Sequence, residues 1–137
     1  MGFDLTPRNK KTGAFHMGAF SWSWMIQAGV GLPLCIGKGY KPAQFVYATR
    51  PDGKCIEYND GARVTGKEAR QMAQLARWIA AYQDTLFELW MEEPETERER
   101  MQKDFRGTYN TPVRRDFVEK VKAFADWAEK SGGFRVY

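Results

Sequence analysis

Apolar and polar positions divide the chain into segments of two different periods. Met1 to Leu5 reads as a short strand, and Pro7 to Gly13 (PRNKKTG) as a polar loop punctuated by its Pro and Gly. Between Ala14 and Ala28 the periods compete. Phe20, Trp22 and Trp24 alternate with Ser21 and Ser23, as in a half-buried strand. Phe20, Trp24 and Ala28 also fall at i, i+4 and i+8, and Ala19, Ile26 and Val30 widen that face. The apolar span is long for a strand and is closed by Gly29 and Gly31, so the pattern predicts a helix over Ala14 to Ala28. In a helix Trp22 and Trp24 stand about 200° apart. One indole then enters the core while the other faces outward.

Gly29 to Pro42 (GVGLPLCIGKGYKP) reads as loop. Phe45 to Thr49 and Lys54 to Tyr58 flank Pro51-Asp52-Gly53, which predicts a β-hairpin because Pro presets the first turn position and Gly supplies a positive φ. Asn59-Asp60-Gly61 is a second turn. Thr65 and Glu68 form a capping box ahead of a long helix whose stripe runs through Ala69, Met72, Ala73, Ala76, Ile79, Ala80 and Phe87, and which ends before Pro94. Glu95 to Arg106 is a charged run, either a solvated helical extension or a loop. Thr111 and Pro112 are read as N-cap and first residue of a last helix. Its stripe is Phe117, Val118, Val121, Phe124, Ala125 and Ala128, and Gly132-Gly133 stops it. Phe134 to Tyr137 alternates as a closing strand beside Gly2 to Leu5. These elements predict one α+β domain over residues 1–137, with about three helices on a small, mainly antiparallel sheet made of the hairpin and the terminal strands.

Composition adds two points. Of the 137 residues, 15% are aromatic, which means either an aromatic core or rings kept for recognition. The net charge of +4 is too small for a nucleic-acid arm. It is unevenly spread, with Glu88 to Glu99 acidic and Arg106 to Lys122 mostly basic, as an anion-binding face or complementary subunit patches would be. There is no secretory pattern, because Asp4 comes too early, and no window approaches the ~20 apolar residues of a membrane span. A reducing cytoplasm is expected, with Cys35 and Cys55 as small buried hydrophobes.

The chemistry-bearing residues point away from catalysis. One His and two Cys twenty residues apart make no metal site, and His16 has no defined nucleophile to serve. Gly29-Val30-Gly31 and Gly37-Lys38-Gly39 complete no phosphate-loop motif. The paired acids Glu92-Glu93 belong to a solvated face. What is left is recognition, in which rings stack on a flat ligand and Arg or Lys holds an anion. The candidate ligand-binding residues are His16, Trp22, Trp24, Tyr40, Arg50, Arg63, Arg106, Tyr109, Arg114 and Arg115. Trp78 and Trp127 are assigned to packing. No catalytic residue, metal or cofactor is expected.

Several short motifs are similar to those of a family of small bacteriophage and prophage proteins. They are the opening Met1-Gly2-Phe3-Asp4-Leu5 with its polar loop, Phe15-His16 and the Trp-rich stretch. The Gly-rich turn Asn59 to Gly66 and the ending Val118 to Phe124 with Ser131-Gly132-Gly133-Phe134 add to them. The resemblance implies a phage origin, life in the bacterial host cytoplasm and no assigned enzyme activity. With the residues above, it leads to the expectation of a non-catalytic counter-defence protein that sequesters a small anionic nucleotide-like signal, with a homo-oligomer as one expected form. The alternatives are a binder of a host protein or of single-stranded nucleic acid.

Overall fold

The computed structural model describes residues 2–35, 50–101 and 111–137, with the side chains of 99–101 left out of account. Among these residues the order is β1 (Gly2–Pro7), β2 (Phe15–Gly18), α1 (Ala19–Met25), β3 (Ala62–Thr65), α2 (Gly66–Met91), α3 (Glu95–Met101), α4 (Arg115–Ser131) and β4 (Gly133–Val136). The four strands form one antiparallel sheet in the order β2-β1-β4-β3. The α+β class expected from the pattern is the class observed.

The terminal strands pair as expected, with Leu5 opposite Val136 and Thr6 opposite Arg135. Alternation then divides the sheet into two faces. Phe3, Leu5, Met17, Val64, Phe134 and Val136 are buried against the helices. Asp4, Thr6, His16, Arg63 and Thr65 are exposed on the other face. The core is strongly aromatic: Phe124 meets Trp22, Phe15, Trp127 and Phe134 at centroid distances of 6.0 to 6.3 Å. The high ring content is therefore largely core.

Two strands were not foreseen. Phe15 to Gly18 belongs to a strand, not to the start of the helix, because Met17 fills the core while the backbone pairs with Gly2 to Leu5 of β1. The helix starts only at Ala19 and runs into a π-helical turn at Ile26–Val30. β3 replaces the expected hairpin in the sheet. The turn itself is present, with Gly53 at φ 81, Gly53 N donating to Arg50 O at 2.8 Å and Arg50 N donating to Lys54 O at 2.8 Å. The arm Lys54 to Tyr58 nevertheless curls instead of extending, closing with Tyr58 N on Cys55 O at 3.1 Å. The other arm, Phe45 to Thr49, lies outside the described residues.

The capping box opens α2 as expected. Glu68 N donates to Thr65 Oγ1 at 3.2 Å, and Thr65 N donates to Glu68 Oε1 at 3.0 Å. The last helix differs. Thr111 and Pro112 precede it, and α4 starts at Arg115 with no side-chain cap. The segment is drawn onto α2 instead, where Val113 is buried and its amide donates to Gln83 Oε1 at 3.0 Å. Burying Val113 outweighs one more helical turn. Gly132, at φ 71, ends α4 in the left-handed conformation. Cys35 and Cys55 are buried, as expected. No helix among the described residues is long and apolar enough to cross a membrane.

Candidate anion-binding site

The seven candidates that fall among the described residues are not brought together. Trp22 is fully buried, its Nε1 donates to Ile56 O at 3.1 Å, and its ring packs on Phe3 and Phe124. It is a core residue, not a stacking platform. Trp24 is half-buried beside Phe117, as the angular separation predicted. Its open edge lines a separate groove of about 450 Å³ with Phe20, Ser23, Gln27 and Ala28, which carries no cation among the described residues.

Arg50 is 3% exposed and acts as an internal strut. Its Nε donates to Arg63 O at 2.9 Å, its Nη1 to Leu34 O at 3.1 Å, and its Nη2 to Glu68. Burial pushes the Glu68 carboxyl up. The Thr65 amide and Arg50 outweigh that effect and hold it below its ordinary value. Arg114 is spent on Asp116, to which it donates at 3.0 and 2.7 Å. Arg115 pairs with Asp84 and stacks over Phe87 at 4.6 Å. With Lys122 at 2.9 Å, it holds the Asp84 carboxyl below its ordinary range. Tyr40, Arg106 and Tyr109 lie outside the described residues. Trp78, assigned to packing, is 65% exposed, because it lies on the side of α2 opposite the core.

His16 and Arg63 share the open face of the sheet. His16 lies across β1 from Asp4, with Nδ1 2.9 Å from Oδ1. One row along, Thr6, Arg135 and Arg63 stand side by side on β1, β4 and β3. Next to this row is a groove of about 440 Å³ whose walls carry Arg8, Lys10, Arg63 and Arg135. Among the described residues no acidic side chain lines it. Arg135 makes one bond, from Nη1 to Gly61 O at 3.1 Å. Among the described residues Arg8, Lys10 and Arg63 have no carboxylate partner.

The floor of the groove is backbone. There α4 hands over to β4 and β3 to α2, and glycines let the two junctions touch. A Cβ on Gly133, at φ 103, would lie 2.7 Å from Val64 O and 2.9 Å from Gly66 N. A Cβ on Gly66 would lie 3.0 Å from Gly132 O. The first residues of α2, a helix of 26 residues, therefore border the groove, and their end of the helix already carries the capping box, with Glu68 N on Thr65 Oγ1 and Thr65 N on the Glu68 carboxylate. At the neighbouring end of α4, Asn9 Nδ2 and Thr12 Oγ1 donate to Lys130 O at 3.2 and 3.1 Å, and Asn9 N donates to Ser131 O at 2.8 Å. The loop after β1 thus caps the carbonyl end of α4 beside the groove.

Of the four groove cations, only Arg63 is among the candidates from the sequence; Arg8, Lys10 and Arg135 are not. The signal was present in two separate places: the alternation Phe134-Arg135-Val136, and the pairing of the termini that sets Arg135 beside Thr6. One ring belongs to this face. Tyr137, two residues beyond Arg135 and 45% exposed, pairs with Asp4 through backbone bonds of 2.8 and 2.9 Å.

Among the described residues no group of three His, Cys, Asp or Glu side chains is placed to hold a metal. Comparison with known proteins finds no matching family model, no similar curated protein and no similar solved structure.

Proposed function

We propose that this protein is a non-catalytic binder of a small phosphate-bearing, nucleotide-like molecule, and that the groove between the β1 loop, β3 and β4 receives the phosphate. The observation that carries the reading is the set of four basic side chains, Arg8, Lys10, Arg63 and Arg135, around the start of α2 with no acid among them. Such a set suits an anion with several oxygens, each taking a charge-assisted bond. Tyr137 offers a ring for a base on the same open face, in the role first expected of Trp22 and Trp24. Among the described residues the groove pairs no acid with a base or a nucleophile, which suits holding a ligand without transforming it. Sequestration of a signal nucleotide during counter-defence is a role that binding of this kind would serve.

A thermal-shift series with inorganic phosphate, pyrophosphate, mononucleotides and cyclic dinucleotides tests the reading. A ligand at a hundred times its Kd adds about 2.7 kcal/mol to stability, which for a domain of this size is a rise of roughly 8–12 °C. The rise should shrink with salt and vanish in Arg63→Ala/Arg135→Ala. No shift with any of these anions would contradict the proposal.

A further inference from the structure

Helix α2 has two apolar faces, and only one of them meets the core. The first, through Ala69, Met72, Ala73, Ala76 and Ala80, is buried. On the opposite side Trp78, Tyr82, Thr85 and Leu89 follow at intervals of four, three and four residues, the spacing of a helix-pairing seam. Trp78, Tyr82 and Leu89 are 65%, 56% and 57% exposed. A solvated helix face carries charge, and this one carries none between Gln71 and Leu89. The three charged residues of that stretch, Arg77, Asp84 and Glu88, fall on the α4 side. There Arg77 bonds Asp126 and Glu129, and Asp84 bonds Arg115 and Lys122.

We infer that this face is the interface of a homodimer in which two copies of α2 pack antiparallel about a two-fold axis. The ends of the seam select this occupant. Lys67 stands at its N-terminal end, Glu92 and Glu93 at its C-terminal end, all three exposed and without an ion pair among the described residues. An axis between Trp78 and Tyr82 sets Trp78 against the partner's Tyr82 and Gln71 against the partner's Leu89. The same axis brings Lys67 to the partner's Glu93. An uncharged stripe meets an uncharged stripe, opposite charges meet at both rims, and the helix dipoles oppose. Trp78 and Tyr82, each more than half exposed, are the aromatic anchors, and with Leu89 and the polar residues flanking the seam they set an interface of at most about 600 Å² per copy, the lower end of a specific one. For a small interface that depends on two anchors, a Kd of roughly micromolar order or weaker is expected. The inference is independent of the anion groove.

Sedimentation equilibrium of the full chain, over concentrations from about 1 to 300 μM that bracket a micromolar Kd, tests it. A monomer–dimer equilibrium is expected. Trp78→Lys should weaken it at least about thirtyfold, as loss of a central aromatic anchor does, while circular dichroism and melting temperature show the monomer intact. Lys67→Glu should weaken it about three- to tenfold, and Lys67→Glu/Glu93→Lys should restore it. A monomer at every concentration, a dimer that survives Trp78→Lys, or a double exchange that restores nothing overturns the assignment.

Discussion

Replacing Glu68 by alanine would strand the Arg50 guanidinium inside the protein. Arg50 is 3% exposed, and two of its three bonds go to the carbonyls of Arg63 and Leu34. Glu68 is its sole carboxylate contact among the described residues. Removing one member of a buried ion pair costs about 3–5 kcal/mol, mostly because the other charge is left uncompensated. The same substitution deletes the returning half of the capping box, in which Thr65 N donates to Glu68 Oε1 at 3.0 Å, worth roughly 0.5–1 kcal/mol more. The expected loss is therefore about 3.5–6 kcal/mol, or roughly 12–20 °C in melting temperature for a domain of this size. Urea unfolding read by tryptophan fluorescence, with Trp22 as the buried reporter, measures it. The double variant Arg50→Met/Glu68→Leu removes both charges and should lose less than the single change. A loss below about 1 kcal/mol for Glu68→Ala, or a double variant less stable than the single one, would refute the strut and with it the removal of Arg50 from the ligand-binding set.

The same pair gives an acid-side pH dependence. The Glu68 carboxyl lies below its unfolded value in the fold, so its contribution is full above the unfolded value and is lost as pH falls through the folded one. Glu68→Gln should flatten that limb of a stability–pH curve. Glu57 has the opposite sign: burial pushes its carboxyl up, against the bond from Ser23 Oγ at 3.0 Å. Its contribution is lost as pH rises through the folded value, so Glu57→Gln should raise the melting temperature at pH 7 and leave it unchanged well below the ordinary carboxylate range. Trp22→Ala should cost about 3–5 kcal/mol as a core truncation, and Trp24→Ala should cost clearly less; anion affinity should be the same in any Trp24 variant that folds. Gly133→Ala should destabilise by more than about 1 kcal/mol and weaken anion binding, because the added methyl meets Val64 O at 2.7 Å at a positive φ. A neutral result by calorimetry would contradict the close junction under the groove.

What the sequence made legible was whatever a local rule decides. The Thr65–Glu68 box, the stop at Gly132, the stripes of α2 and α4 and the opposed faces of Trp22 and Trp24 all depend on residues within a turn or two of one another. The strands β2 and β3 are four residues each and acquire their identity from the neighbour they pair with. Phe15 to Gly18 could thus read as the start of a helix, and Ala62 to Thr65 as turn and cap. The site was less legible for the same reason. Arg8, Lys10, Arg63 and Arg135 meet only after β1, β3 and β4 have paired. Arg50, Arg114 and Arg115 look like surface cations until Glu68, Asp116 and Asp84 are seen to occupy them. A ring's residue type could not tell the buried Trp22 from the exposed Trp78. Only the side of the helix on which the core lies decides that.

The central claim is that the anion sits at the start of α2 on the open face of the sheet. Titration of pyrophosphate into isotopically labelled protein, followed by amide chemical shifts, locates the ligand without altering a residue. The account predicts saturable shifts clustered at Arg8, Gly66, Lys67, Gly133 and Arg135, with the amides of Ser23 to Ala28 beside Trp24 unmoved. Saturable shifts confined to the Trp24 groove, or none anywhere at low salt, would contradict it.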